Sequence, residues 1–440
     1  MSRGPYDGIT VIELGDGLSS RYAGMLLSDR GADVIRIEQP RPPASRVAEP
    51  VLAAETKRAQ WLDRGKRSLL LALGSSQLRD AGGADSDGTA VVALLHAILD
   101  RADVLLSDWP LPRLRELGLD ADALGLRHPR LQLVRDAGFG DDGPLAGAAV
   151  TDLVVQARSG LLAGEGKLRA DGVTPERLFS TDMAGFSTGV MLSLAVASAL
   201  LRREMQTDAA TADEVVVSQF AVAIALQSAR TTDNPAADRL RMLAQAKLAA
   251  ARAEGADFAA LRAARADAAV PPGNIFYRPY RTRDGAVFVG ALSKPLRDKV
   301  RRVLGTTYLY RDDPRFDPAN VEFMAECIAQ EQRTEAQFRT RDSADWVADF
   351  DAAGVPCGEV VFPEDLATSA QVLDNGYMVR LTHTRDGEQS QVTSPAQFAR
   401  WPAPQAAPAP LPGADTEAVL ARAGVAAEMI ALLRQRGVVG

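Results

Sequence analysis

Residues 9–38 read ITVIELGDGLSSRYAGMLLSDRGADVIRIE, and this stretch decides the fold class. Ile9 to Leu14 is a short apolar run of strand length, and Gly15-Asp16-Gly17 breaks it. Arg21 to Arg30 then repeats apolar residues at helical spacing, Gly31 stops that helix, and Asp33 to Glu38 is a second strand. Strand, helix and strand at this spacing make a βαβ unit, which requires parallel pairing. The pattern continues outward. Ser68 to Leu73, Val104 to Ser107 and Leu131 to Val134 read as further strands, and Thr89 to Arg101 as an amphipathic helix. Such alternation predicts a Rossmann-like, doubly wound, mainly parallel α/β sheet whose ligands bind beyond the carboxyl ends of the strands.

The 440 residues hold 50 Lys plus Arg against 57 Asp plus Glu, a net charge of −7. With 46% hydrophobic and 24% charged residues, the chain can bury a sizeable core, which excludes wholesale disorder. An acidic balance without a basic stripe excludes nucleic acid and anionic membrane as main partners, because both demand a positive field. Cys327 and Cys357 stand alone, so neither a disulfide framework nor a zinc knuckle is expected, and a reducing cytoplasm fits. The opening MSRGPYDGITVIEL has no basic segment ahead of an apolar one, so no secretory signal is read there. Met183 to Leu201 is free of charge over 19 residues, close to membrane length, but its Gly, Ser and Thr texture and its isolation read as a buried central helix.

Beyond Glu214–Val217 the composition shifts. Pro235 to Ala269 is Ala-rich with scattered charge and reads as an exposed helical hairpin, and Pro271-Pro272-Gly273 ends it. Asn274 to Gly290 then shows strand, Asp284-Gly285 turn and strand. The expected organisation is a large α/β domain from 1–215 and 365–440, a helical insertion over 216–270, and a smaller α+β domain over 271–364.

Three local features carry chemistry. Gly15-Asp16-Gly17-Leu18-Ser19-Ser20 follows the first strand, and Glu38 ends the second. Glycines there let backbone approach a phosphate at a helix N-terminus, as in dinucleotide sites, although Ser20 replaces the third glycine. The ligand is either a nicotinamide dinucleotide or another phosphate- or adenine-bearing molecule. Asp63-Arg64-Gly65-Lys66-Arg67-Ser68 is a compact basic cluster, either a solvated turn or a phosphate-recognising loop. Asp182 stands before the charge-free helix as either an N-cap or a nucleophilic carboxylate. His96, His128 and His383 lie in contexts without a catalytic pattern.

Taken in order, these pieces resemble the class III CoA-transferase family, which holds formyl-CoA transferases, carnitine CoA-transferase-like enzymes and α-methylacyl-CoA racemases. The carrying residues are Leu26 to Pro40 (LLSDRGADVIRIEQP), Asp63 to Ser68, Leu117-Gly118-Leu119-Asp120 through His128-Pro129-Arg130-Leu131, and Gly138-Phe139-Gly140 with Gly143-Pro144. They continue through Asp152 to Gly160, Asp182 with Gly185, Tyr280 to Gly285 and Ala353-Gly354-Val355-Pro356. The resemblance implies an enzyme that moves CoA from an acyl-CoA donor to a free carboxylic acid, with Asp182 as the catalytic nucleophile passing through a mixed anhydride and an aspartyl-CoA thioester. It implies CoA contacts at Gly17, Leu18, Ser19, Gln39, Asp108, Trp109, Thr151 and Asp152, with Arg64, Lys66 and Arg67 toward the adenosine phosphates. No tightly bound cofactor and no metal are implied; CoA and acyl-CoA are substrates. It further implies a ring-like chain in an interlocked homodimer.

Departures from the family pattern sharpen these expectations. Ser20-Arg21 replaces a Gly-Pro, Asp63 and Asp108 each replace an Asn, and Pro110-Leu111-Pro112 replaces Arg-Pro-Gly. Two acids near the surface of a phosphate site would each weaken binding by about 1 kcal/mol. The glycine-rich loop of formyl-CoA transferases is absent, with Ala268 to Asn274 in its approximate place. Thr151 stands where racemases carry a proton-abstracting His, which argues against racemisation. The alternatives are a catalytically impaired member serving as a CoA-binding or partner subunit of a heteromeric enzyme, and an NAD-binding enzyme.

Overall fold

The computed structural model describes residues 4–39, 52–73, 87–164, 166–177, 181–205, 212–232, 234, 239–266, 274–307, 313–315, 320–399 and 407–440. The chain forms two compact units, 1–232 with 373–440 and 233–372. Phe179-Ser180 and most of the 268–274 stretch lie outside the described residues.

The large unit is built on six parallel strands: β1 (Thr10–Leu14), β2 (Asp33–Glu38), β3 (Arg67–Leu70), β4 (Val104–Ser107), β5 (Gln132–Asp136) and β6 (Glu214–Val217). Their order is β3-β2-β1-β4-β5-β6, so the winding reverses between β1 and β4. Register pairs Val11 with Val34 on one side and with Val104 on the other. The period of two in these strands feeds two cores. Ile12, Leu14, Ile35, Ile37, Leu105 and Leu133 face α3 (Asp87–Leu99) and the C-terminal helices α17 (Thr416–Arg422) and α18 (Ala427–Gln435). Val11, Val34, Val104, Leu106 and Val134 face α1 (Leu18–Ser28) and α8 (Met183–Met205). Each such aliphatic side chain contributes about 1.5–3 kcal/mol through burial, so both faces of the sheet must be covered.

The remaining helices of this unit are α2 (Leu52–Leu62), α4 (Leu111–Glu116), α5 (Ala121–Arg127), α6 (Asp152–Arg158), α7 (Leu161–Gly164), α9 (Gln219–Ala225) and α10 (Ser228–Thr231). Helix α8 alone among the described helices is long and apolar enough to cross a bilayer, yet half of its most apolar stretch is buried against the sheet. Its Gly189 lies against Ser19 O and Tyr22, where an added Cβ would come within 2.8 Å of the carbonyl oxygen. The small residues therefore set how closely α8 approaches α1. His96 and His128, without a pattern in sequence, form a buried stacked pair with Nδ1 to Nε2 at 2.9 Å, ahead of β4 and β5 and away from the strands' carboxyl ends.

The small unit carries a helical hairpin, α11 (Arg239–Ala253) and α12 (Phe258–Ala266), and an antiparallel sheet of β7 (Tyr277–Arg281), β8 (Ala286–Gly290) and β9 (Cys357–Glu359). Helices α13 (Lys294–Leu304), α14 (Val321–Phe338) and α15 (Ser343–Ala353) cover it, with Tyr280 stacked on Phe338 at 4.0 Å in the core. The chain then returns through α16 (Ala370–Asp374) to the hairpin β10 (Met378–His383) and β11 (Gly387–Val392).

Candidate active site

The strands β1, β4 and β5 end together at the reversal of strand order, and each end contributes an acid or a turn. After β1 the chain passes Gly15-Asp16-Gly17 into α1. Asp108, one residue beyond β4, reaches across to this turn: its Oδ2 accepts from Gly17 N–H at 2.5 Å and from Ser20 Oγ at 2.6 Å. Gly15 has φ +140°, and a Cβ there would sit 2.0 Å from Asp108 Oδ1; at Gly17 the distance to Oδ2 would be 2.3 Å. The glycines thus make room for a carboxylate of the protein itself, where an open cradle for a ligand was expected. At the end of β5, Asp136 accepts from Ser19 Oγ at 2.5 Å and from Gly138 N–H at 2.8 Å.

Burial pushes the Asp108 carboxyl up to about 6; the Ser20 and Gly17 hydrogen bonds oppose that rise, and the nearby Asp136 and Asp16 add to it. Asp136 is also raised by burial, against the hydrogen bonds it accepts. The positive end of α1 is accordingly met by two carboxylates that hold protons more tightly than ordinary ones.

The basic loop is differently employed than the sequence suggests. Arg64 is buried and forks onto Asp29 at 3.0 and 2.5 Å, with a further bond to Val392 O. Lys66 is buried and gives its ammonium to Glu13 at 2.7 Å, to Arg21 O at 2.9 Å and to Asp63 at 3.3 Å. Arg67 pairs with Asp33 at 3.1 Å. The physical reason is Glu13, which is fully buried inside β1 and demands cations: Lys66 and Arg36 supply them. Asp63 is no surface acid either. Burial would raise it, but Lys66, Arg36 and Arg21 outweigh burial and hold its carboxyl well below the usual range. The bidentate Arg21 to Asp63 contact, at 3.2 and 2.6 Å, closes this network. The expected repulsion of phosphate by Asp63 is therefore corrected: its charge is spent inside the fold.

Asp182 lies immediately before α8 and is a quarter exposed. Its Oδ2 is 2.6 Å from Arg58 Nη1 of α2 as an ion pair, outside hydrogen-bond geometry, and accepts no hydrogen bond. Asp152, first residue of α6, spans the gap to α8 by accepting Gly185 N–H at 2.8 Å, and Gln156 donates to its other oxygen. Burial raises the Asp152 carboxyl, the Gly185 and Gln156 hydrogen bonds resist, and the neighbouring Asp182 adds to the rise. Leu18, at the start of α1, packs on Gly185, where a Cβ would meet Leu18 Cδ2 at 2.8 Å. That contact joins the β1–α1 turn to the start of α8. Phe186, Tyr22 and Trp61 form a ring cluster beside it, with centroids 4.9 to 5.8 Å apart.

Gly17 thus meets Asp108 directly, and Leu18 and Asp152 meet at Gly185, three residues beyond Asp182. Gln39 follows β2 and accepts Leu73 N–H at 3.0 Å. Trp109 is half-buried, with the Arg113 guanidinium 5.3 Å over its ring, and Thr151 is exposed ahead of α6. Sequence reasoning missed Arg58, which sits in a weakly patterned helix, and Asp136, whose place at a strand's carboxyl end was a usable signal. Among the described residues no cluster could hold a metal ion.

Residues 6–416 match the family model for CoA-transferase family III. The chain belongs to CoA-transferase family III. It is 25% identical over 94% of its length to succinyl-CoA:glutarate CoA-transferase of Mus musculus, covering 86% of that protein. It is 26% identical to the probable fatty acyl-CoA transferase Rv3272 of Mycobacterium tuberculosis, over 95% of this chain and 98% of that one. A crystal structure of a mutant of that mycobacterial protein superposes with a TM-score of 0.71 at 23% identity, covering 96% of this chain and 100% of the other, which shows the shared fold. As a family III enzyme, the chain moves CoA between carboxylic acids, and CoA thioesters are its substrates.

Proposed function

We propose that Asp182 is the nucleophile of this CoA-transferase, and that the reaction runs through covalent intermediates on its carboxylate. An Asp182 oxygen attacks the thioester carbon, the C–S bond breaks, and CoA thiolate leaves a mixed anhydride. The thiolate then attacks the aspartyl carbonyl, releasing the donor acid and forming an aspartyl-CoA thioester. The acceptor carboxylate displaces CoA to give a second anhydride. Attack of the thiolate on the acceptor's carbonyl yields the new acyl-CoA and restores Asp182. No net proton is consumed. The observation that carries this reading is the place of Asp182: a quarter exposed, immediately ahead of α8, with the exposed Arg58 guanidinium paired to an oxygen that accepts no hydrogen bond. The Gly185 N–H, tethered by Asp152 one turn into α8, belongs to the same helix start that would face a developing oxyanion.

The supporting residues divide the work. Gly17, Leu18, Ser19, Asp108 and Trp109 flank the thioester end of CoA, while Asp152, following Thr151, orients the start of α8. Arg58, with its side chain about half exposed, is a better candidate for meeting an anionic substrate than the buried Arg64 and Lys66. A homodimer is part of this reading, supported by the apolar outer face of α8, where Val190, Met191 and Leu194 are exposed in the single chain. Asp182→Asn should lower turnover at least about 10³-fold while leaving the melting temperature near that of the parent. Full turnover in that variant would defeat the assignment. A second reading, a binding subunit without turnover, is favoured by one observation: Asp108 already occupies Gly17 N–H.

A further inference from the structure

We propose that Asp108 binds CoA, free or as its thioester, as a neutral carboxylic acid that donates a hydrogen bond to it, so that CoA binding takes up a proton and ionised Asp108 opposes binding. This rests on the reading of the β1–α1 turn as part of the CoA site. The four side chains that depart from the family pattern around this turn meet two by two: Arg21 with Asp63, and Ser20 with Asp108. The pairs differ in kind. Asp63 is surrounded by Arg21, Arg36 and Lys66, so its charge is neutralised internally. Asp108 pairs with no cation among the described residues. The titratable groups that face it are Asp16, from the turn, and Asp136, from the end of β5, and both are acids. Asp16 is itself held by Arg36 at 2.6 Å, and Asp136 by Ser19.

The two protonation states of Asp108 offer a ligand different surfaces. Ionised, the carboxylate accepts from Gly17 N–H, offers a ligand no donor, and places a negative charge at the reversal point of the sheet, where an anionic ligand arrives. Protonated, it has the shape of an asparagine side chain, keeps an acceptor for Gly17 and gains one O–H donor. Ser20 makes the change inexpensive. Its single hydroxyl proton has a second acceptor in Gly17 O at 3.1 Å, so the hydroxyl stays bonded when Asp108 turns to the ligand. With the carboxyl already pushed up to about 6 in the free protein, an adjacent anion raises it further. Affinity and protonation are then linked, and affinity falls by about tenfold per pH unit above about pH 6.

The test uses dephospho-CoA, which lacks the phosphate monoester whose own second ionisation lies near pH 6. Its binding to the full chain is measured by calorimetry from pH 5.5 to 8.5, in two buffers of different ionisation enthalpy. The expected result is uptake of about one proton at pH 7.5, a dissociation constant rising about tenfold per unit above pH 6, and an Asp108→Asn variant whose affinity is flat with pH and matches the parent at pH 5.5. Binding by the parent with neither proton uptake nor pH dependence would overturn the proposal while leaving CoA transfer through Asp182 intact. A slope that persists in Asp108→Asn would also overturn it. If Asp108→Asn does not fold, the proton count of the parent protein decides alone. If neither protein binds at any pH and Asp182 takes up no acyl group, the proposed function falls together with this inference.

Discussion

At the scale of single residues, the site is governed by which carboxylates are paired with cations and which are not. Glu13 is paired, and replacing it by Gln strips one charge from a buried cluster whose cations Lys66 and Arg36 have little access to water. Glu13→Gln should lower the unfolding free energy by about 3 kcal/mol, read as a fall in the urea midpoint at unchanged slope. Asp108 is unpaired, and its stability contribution has the opposite sign. Its folded pKa, about 6, lies above the unfolded value, so the native state holds a proton that the unfolded chain releases. The stabilisation is complete below about pH 4 and is lost as pH rises through 6. Asp108→Asn should therefore stabilise the protein by about 1–3 kcal/mol at pH 8, with a much smaller gain at pH 4. Equal gains at both pH values would contradict the reading of Asp108 as an acid that strains against its own ionisation.

At the scale of elements, the decisive contact is α8 on α1. Two glycines on one face of α8 bring it down onto the start of α1, and they differ in what opposes them. At Gly185 the obstacle is the end of the Leu18 side chain, which can turn aside; at Gly189 it is the Ser19 carbonyl and the Tyr22 ring. Gly189→Ala should cost about 1–3 kcal/mol in thermal or urea unfolding, and Gly185→Ala clearly less. Much at this scale was legible in sequence. The run of residues 9–38 gave β1, α1 and β2 because the apolar period changes from two to helical spacing and back at Gly15 and Gly31, and such local alternation needs no tertiary information. The charge-free stretch read as a buried central helix is α8. What could not be read is who pairs with whom. Arg64 and Lys66 look like presented charge in a loop, and only the tertiary placement of Asp29 and Glu13 turns them inward. Arg58 acquires its place beside Asp182 from the docking of α2, and nothing local to either residue announces it.

At the scale of the whole molecule, the large unit is closed by a segment more than 340 residues away in sequence from the strand it completes. Asp415 accepts Ser68 N–H at 2.9 Å, Thr416 Oγ1 accepts Leu70 N–H at 3.2 Å, and Ala72 N–H donates to Val438 O at 2.8 Å. The C-terminal helices thus cap β3, the edge of the sheet that carries the basic loop, and no local pattern predicts that return. Thr416 is fully buried, so Thr416→Val leaves the Leu70 donor without a partner and should cost about 1–3 kcal/mol, measured in the same unfolding series. A change of that size felt in CoA affinity as well as stability would tie the edge of the sheet to the site.

The proposed role of Asp182 joins these scales, because it requires the residue, the helix start and the sheet end to act on one substrate. It is tested most directly by mixing the purified protein with an acyl-CoA, quenching into hydroxylamine and locating the modified residue by peptide mass spectrometry. The predicted result is a hydroxamate on Asp182, formed only when acyl-CoA is present and absent from Asp182→Asn. A fully active protein that carries no label at Asp182 would contradict the nucleophilic role.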